Sequence, residues 1–111
     1  MVSEDTLKQI ATILVGRFHP ERVILFGSQA RGSADERSDV DILVVCPING
    51  RRRSLMVEMD RALRGLGIAR DVIVLSPEEF ERDRHIPGTI ARPAWREGRV
   101  LYEKPAAGTI G

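Results

Sequence analysis

Asp39 and Asp41 are two carboxylates one residue apart at the head of an apolar run, Ile42-Leu43-Val44-Val45. The run is short and β-branched and reads as a buried strand. Alternate residues of a strand point to one face, so the two carboxylates would stand side by side. Side by side they repel, and a divalent cation relieves that repulsion. All-oxygen ligation suits magnesium, with manganese as its substitute. Upstream, a second apolar run, Val23-Ile24-Leu25-Phe26, feeds Gly27-Ser28. Glycine lets the backbone approach a ligand closely. Ser28 is expected to cap a helical turn over Gln29-Ala30-Arg31, whose free N–H groups would attract an anion. A phosphate site at the end of one strand, beside a carboxylate pair on the next, outlines a centre for a nucleoside triphosphate and a metal.

Ten residues, 29 to 38, separate Ser28 from Asp39. At this spacing, Gly27-Ser28-Gln29-Ala30-Arg31-Gly32 with Ser38-Asp39-Val40-Asp41 resembles the nucleotidyltransferase superfamily that includes DNA polymerase beta and kanamycin nucleotidyltransferase. Within it, the run looks like the minimal nucleotidyltransferases. A lone Gly-Ser or Asp-x-Asp is weak; the ordered pair is specific. The resemblance implies a third carboxylate on the following strand. Asp71 is the matching position, at the head of Val72-Ile73-Val74-Leu75, where a carboxylate has no packing value. It implies that Asp39, Asp41 and Asp71 are the catalytic and metal-binding residues, and that Gly27, Ser28 and Arg31 contact the nucleotide. For Arg31, a salt bridge that fixes the loop is an equal alternative.

The implied reaction is magnesium-dependent nucleotidyl transfer from ATP to an acceptor hydroxyl, with pyrophosphate leaving. Minimal nucleotidyltransferases are commonly paired with a HEPN-domain protein in toxin–antitoxin modules, where they act as antitoxin and, in some members, nucleotidylate the toxin. The expectation is AMP transfer to such a partner. The alternative is a non-catalytic nucleotide-binding or protein-binding antitoxin that neutralises its partner by contact. Larger relatives bind a second substrate with further domains or extensions, and none is evident here. The acceptor is therefore expected from a shallow surface, a homodimer or a separate partner.

The elements that must position these residues follow from periodicity. Leu7, Ile10, Leu14 and Phe18 set an amphipathic helix over residues 4–18, with Ser3 or Asp5 as cap and His19-Pro20 as its end. Strands are expected at about 22–26, 39–46 and 71–75, with a polar loop at 33–38. A helix over about 51–65 carries Leu55, Met59, Leu63 and Leu66 on one stripe. The Arg51-Arg52-Arg53 run that opens it reads as a solvated face rather than a specific grip. Ser76-Pro77-Glu78-Glu79 is a capping box. A further helix is expected near Ile90 to Trp95, with Trp95 in the core, and then an edge strand over Arg99–Glu103.

Gly27-Ser28 ends its strand, whereas Asp39, Asp41 and Asp71 start theirs. For all to meet, the first strand must run antiparallel to the second, and the second parallel to the third through the helix at 51–65. The fold class is thus α/β: a small mixed β-sheet of nucleotidyltransferase type, with helices mainly on one face. One domain is expected over residues 1–104, followed by a flexible tail at 105–111.

Composition excludes several classes. A net charge of +1 and 5% aromatic residues argue against a nucleic-acid partner. Only Lys8 and Lys104 are lysines, so 15 of the 17 cationic residues are arginine, a bias that matches high-GC codon usage. No apolar run approaches the ~18 residues of a membrane span, and no basic segment precedes an apolar one as in a signal peptide. The cytoplasm is the expected location. Cys46, the single cysteine, is expected to be buried and inert.

Overall fold

The computed structural model describes residues 2–33 and 38–105. Most of the expected polar loop (34–37) and of the expected tail (106–111) lies outside the described residues. In chain order the elements are α1 (Glu4–Phe18), β1 (Arg22–Phe26), α2 (Ser28–Arg31), β2 (Val40–Val45), α3 (Arg52–Ala62), a 3-10 turn (Arg64–Leu66), β3 (Arg70–Leu75), α4 (Pro77–Asp83), α5 (Ala91–Glu97) and β4 (Arg99–Glu103).

Local chemistry sets the boundaries. Ser3 caps α1 by accepting the Thr6 N–H at 3.1 Å. His19 closes the helix in the left-handed region (φ 51°), and its N–H donates to the Val15 carbonyl. Pro20 follows and disfavours a further helical residue at 19. Ser76 and Glu79 form the expected capping box: the Glu79 N–H donates to Ser76 Oγ at 3.2 Å, and the Ser76 N–H donates to Glu79 Oε1 at 2.9 Å. Helix α3 is shorter than expected and tightens into the 3-10 turn before Gly67. Helix α5 runs on to Glu97, with Pro93 in its first turn, where a missing N–H costs no helical bond.

The four strands form one sheet in the order β3-β2-β1-β4. β1 is antiparallel to β2 and to β4, while β2 is parallel to β3, with α3 as the crossover. Pleating divides the core in two. Val23, Leu25, Val40, Ile42, Val44, Val72 and Val74 pack against Leu7, Ile10, Leu14, Met59 and Leu63 of the two long helices. Ile24, Leu43 and Val45 face the other way, toward Phe80, Ala91 and Ala94 of the two seven-residue helices. Each fully buried Leu, Ile or Phe contributes roughly 1.5–3 kcal/mol, whereas an exposed ion pair contributes about 0–1 kcal/mol. Apolar layering therefore holds the sheet in register. Among the described residues, no helix is long and apolar enough to cross a membrane.

Two expectations change. Trp95 is not in the core: it is 41% exposed. Helix α5 lies close on the sheet through Ala91 and Ala94, and a Cβ at Gly98 would lie on the Ala94 carbonyl and 2.6 Å from Ile24 Cγ2. That close approach leaves no depth for an indole, and Trp95 is rotated about 100° from Ala94. It stands instead edge-on to Phe80 at 6.1 Å, with the Arg84 guanidinium 4.3 Å from its ring. Nor is the arginine run wholly a solvated face. Arg51 and Arg53 are exposed, but Arg52 makes a two-pronged pair with Glu79 (both 2.7 Å) and donates to the Val74 carbonyl at 2.9 Å. Cys46 is buried as expected; burial pushes its thiol up, and it donates to the Phe18 carbonyl.

Candidate active site

The sheet brings two of the expected residues, Asp41 and Asp71, into register. Phe26, the last residue of β1, pairs with Asp41, and Asp41 pairs with Asp71 on the parallel strand. Neighbouring strands lie about 4.8 Å apart, so Asp41 and Asp71 stand side by side. Both alternate with residues that face the long helices (Val40 and Ile42; Arg70 and Val72). Their side chains therefore project from the opposite face, at the end of the sheet where β2 and β3 begin.

Gly27 follows Phe26 with φ 72° and ψ −154°. A Cβ there would fall on Asp41 Oδ2, with Asp41 Cγ at 3.3 Å. Glycine is thus required twice over, by its positive φ and by the carboxylate that leans across it. The chain then turns into α2, where Ala30 and Arg31 each donate to the Gly27 carbonyl at 3.2 Å. Gly27, and not Ser28, occupies the cap position of this turn, because its positive φ starts the turn one residue earlier than expected. No side chain caps it. Among the described residues the Ser28 hydroxyl is left without a hydrogen-bond partner, and the N–H groups of Ser28 and Gln29 precede the first intrahelical bond.

Charge is concentrated here. The Asp41 carboxyl is held above its ordinary 3.8, first by burial, then by Asp71, then by Asp39; Arg31 opposes the shift. Asp39 is exposed and lies just outside β2, which begins one residue later than expected. Arg31 is exposed and makes no ion pair among the described residues; residues 34–37 of the loop that a salt bridge would fix lie outside them. Among the described residues no three carboxylate, His or Cys side chains are already gathered into a metal cage. Asp41 senses the charge of Asp71 and Asp39, but the three do not converge. The donor set is nevertheless all oxygen, its negative charge is only partly offset by Arg31, and the absence of a side chain at Gly27 makes room for the Asp41 carboxylate. These features fit a magnesium or manganese ion.

One residue at the site was not anticipated from sequence. Gln29 is 7% exposed, the one buried polar side chain among the described residues. Its Oε1 accepts the Val2 N–H at 3.1 Å, and its Nε2 donates to the Ser38 carbonyl at 3.2 Å. A Gln inside a polar turn gives no periodic signal, and its partners lie 27 and 9 residues away in the chain.

Comparison with known proteins bears on the family and the fold. A family model described as a nucleotidyltransferase domain matches residues 7–100. A protein of Methanocaldococcus jannaschii with the provisional name protein adenylyltransferase MJ0604 is 32% identical over 105 residues, covering 92% of this chain and all of the relative. A second protein of that organism, with the provisional name protein adenylyltransferase MJ0141, is 58% identical over 44 residues, which is 40% of this chain and 42% of that protein. Among solved structures, a provisionally assigned nucleotidyltransferase of Sulfolobus solfataricus superposes with TM-score 0.63 at 26% identity, over 90% of this chain and 79% of that one. A mutant toxin–antitoxin complex, MntA–HpeT, gives TM-score 0.65 at 17% identity, over 88% and 73% of the two chains. A toxin–antitoxin structure with AMP-PNP gives 0.60 at 17%, over the same shares. At that identity the last two speak for the fold.

Proposed function

This chain belongs to the nucleotidyltransferase domain family, and from that premise we propose that it transfers AMP from ATP to a hydroxyl group on a partner protein. The partner is a toxin, by the chemistry of the resemblance a HEPN-domain protein, and the modification silences it. The observation that carries this reading is the register of Asp41 with Asp71, closed on its other side by Gly27. Support also comes from the relatives named for adenylyl transfer to proteins and from neighbours solved as toxin–antitoxin complexes, one with an ATP analogue.

Asp39, Asp41 and Asp71 would hold the magnesium ion. When bound, that ion neutralises the triphosphate and makes an acceptor hydroxyl a better nucleophile. The chain's own residues do the rest. Gly27 leaves room for the Asp41 carboxylate to stand beside the turn. The Ser28 hydroxyl, having no partner among the described residues, donates to a phosphate oxygen, as do the N–H groups that open α2. Arg31 supplies positive charge on the exposed side. Asp41 must lose its proton before it can ligate, and its raised carboxyl makes that step the pH-sensitive one.

The test is incubation of the protein with its partner, labelled ATP and magnesium, followed by mass spectrometry of the partner. One added AMP on a hydroxyl side chain is expected, and Asp41→Asn should abolish it. Full neutralisation of the partner by Asp41→Asn with no mass shift would overturn this reading in favour of neutralisation by contact.

A further inference from the structure

We infer that Gln29 is a positioning residue for the metal: it sets where Asp39 stands by holding the Ser38 carbonyl. The inference rests on the proposed metal-dependent reading of the site.

Asp39 is the least constrained of the three carboxylates. It is exposed, and the β2 ladder begins only at Val40, opposite Arg70. Like charge on Asp41 pushes it away. Two bonds act against that push. On one side the Val40 N–H donates to the Ala69 carbonyl at 2.9 Å. On the other, Gln29 Nε2 donates to the Ser38 carbonyl at 3.2 Å. The peptide unit is planar, so the Ser38 carbonyl and the Asp39 Cα lie in one plane. Orienting that carbonyl orients the Asp39 Cα. Gln29 is next to Ser28 in α2, so the same side chain ties the phosphate turn to the carboxylate.

The amide cannot serve in either orientation. A backbone N–H only donates and a backbone carbonyl only accepts. With the Val2 N–H on one side and the Ser38 carbonyl on the other, Oε1 and Nε2 are each assigned by their partners. Few other side chains offer a donor and an acceptor at this reach. Burial makes the arrangement costly to lose, because a buried polar group without a partner is destabilising.

A purely structural role would also explain a buried, satisfied amide, and a double-mutant cycle separates the two. Manganese binding is measured by electron paramagnetic resonance for the wild type, Gln29→Met, Asp39→Asn and the double variant, with thermal melts alongside. Partners that orient metal ligands typically contribute 10–100-fold in affinity. Gln29→Met should therefore weaken manganese binding by roughly tenfold while the protein remains folded. In the Asp39→Asn background the same change should have little further effect, because the ligand it positions has lost its charge. Gln29→Asn, which keeps the amide on a shorter side chain, should behave like Gln29→Met and serves where the latter folds poorly. Unchanged affinity in a folded Gln29 variant overturns the inference. So does an equal loss in both backgrounds, or failure of both variants to fold, since Gln29 would then support the whole fold and not Asp39. Absence of manganese binding by the wild type would instead sink the metal-dependent reading itself.

Discussion

Gly27 and Asp41 constrain each other atom by atom. Any side chain at Gly27 meets the Asp41 carboxylate, so even Gly27→Ala must move the residue that the chemistry needs. The positive φ adds a cost of roughly 1–3 kcal/mol for a non-glycine residue. Calorimetry should show ATP–magnesium binding lost in Gly27→Ala and Gly27→Val, out of proportion to a modest fall in melting temperature; normal binding by either folded variant would mean the turn is only a connector. Asp41 itself is kept at a disadvantage. Its carboxyl is raised above 3.8, chiefly by burial and then by Asp71 and Asp39. The native state therefore holds that proton to higher pH than the unfolded chain does, and stability falls as pH rises from about 3.8 through the raised value. At neutral pH the charged carboxylate destabilises the fold. Asp41→Asn should then melt higher than wild type in a chelator, while added manganese should raise the wild-type melting temperature and leave the variant unmoved. A lower melting point for Asp41→Asn in chelator would show that the carboxylate is structurally satisfied.

At the scale of elements, Glu79 joins the start of α4 to the start of α3. It completes the capping box with Ser76 and takes both prongs of Arg52. The Arg52 guanidinium, with the Ser76 N–H, brings its carboxyl from 4.5 down to about 2. Such a group stabilises the fold fully above its unfolded value and loses that contribution as pH falls from about 4.5 toward about 2. Much of the expected effect of Glu79→Ala is loss of the cap, since the ion pair has a partner that is 42% exposed and such pairs are worth under about 1 kcal/mol. A total of about 1–2 kcal/mol in urea unfolding is expected. ATP binding should not change, because Leu75 lies four residue steps along β3 from Asp71, about 13 Å. Impaired nucleotide binding in a folded Glu79→Ala variant would contradict the placement of the site at one end of the sheet.

For the whole molecule, the decisive fact is which face of the sheet is covered. The two long helices, α1 and α3, bury one face; α4 and α5 cover part of the other. Asp41 and Asp71 project from that second face, at the end where their strands begin. Among the described residues that end of the second face is left uncovered, which the proposed transfer to another protein would need. Transfer of AMP to a partner is a whole-molecule prediction for this reason: it needs the open end of the sheet, and not only the carboxylates.

The sequence by itself determined the turn after β1, the placing of Asp41 and Asp71 at the heads of neighbouring strands, the capping box of α4 and the direction of every site-bearing strand. Those features are local: a cap, a turn or an alternating run is decided by residues a few positions apart, and the motif spacing then leaves one sheet topology that lets the parts meet. Tertiary structure decided what depends on distant neighbours. Gln29 has partners far along the chain, so its role could not be seen from its own surroundings. Ser28 loses its capping role to Gly27 because Gly27 takes a positive φ and starts the turn one residue earlier. Arg52 becomes an anchor because α4 brings Glu79 to it. Trp95 is turned outward because Gly98 and two alanines bring α5 too close to the sheet for an indole to fit. In each case the outcome was set by the space and charge that another element brought to the residue, and residue type alone carries neither.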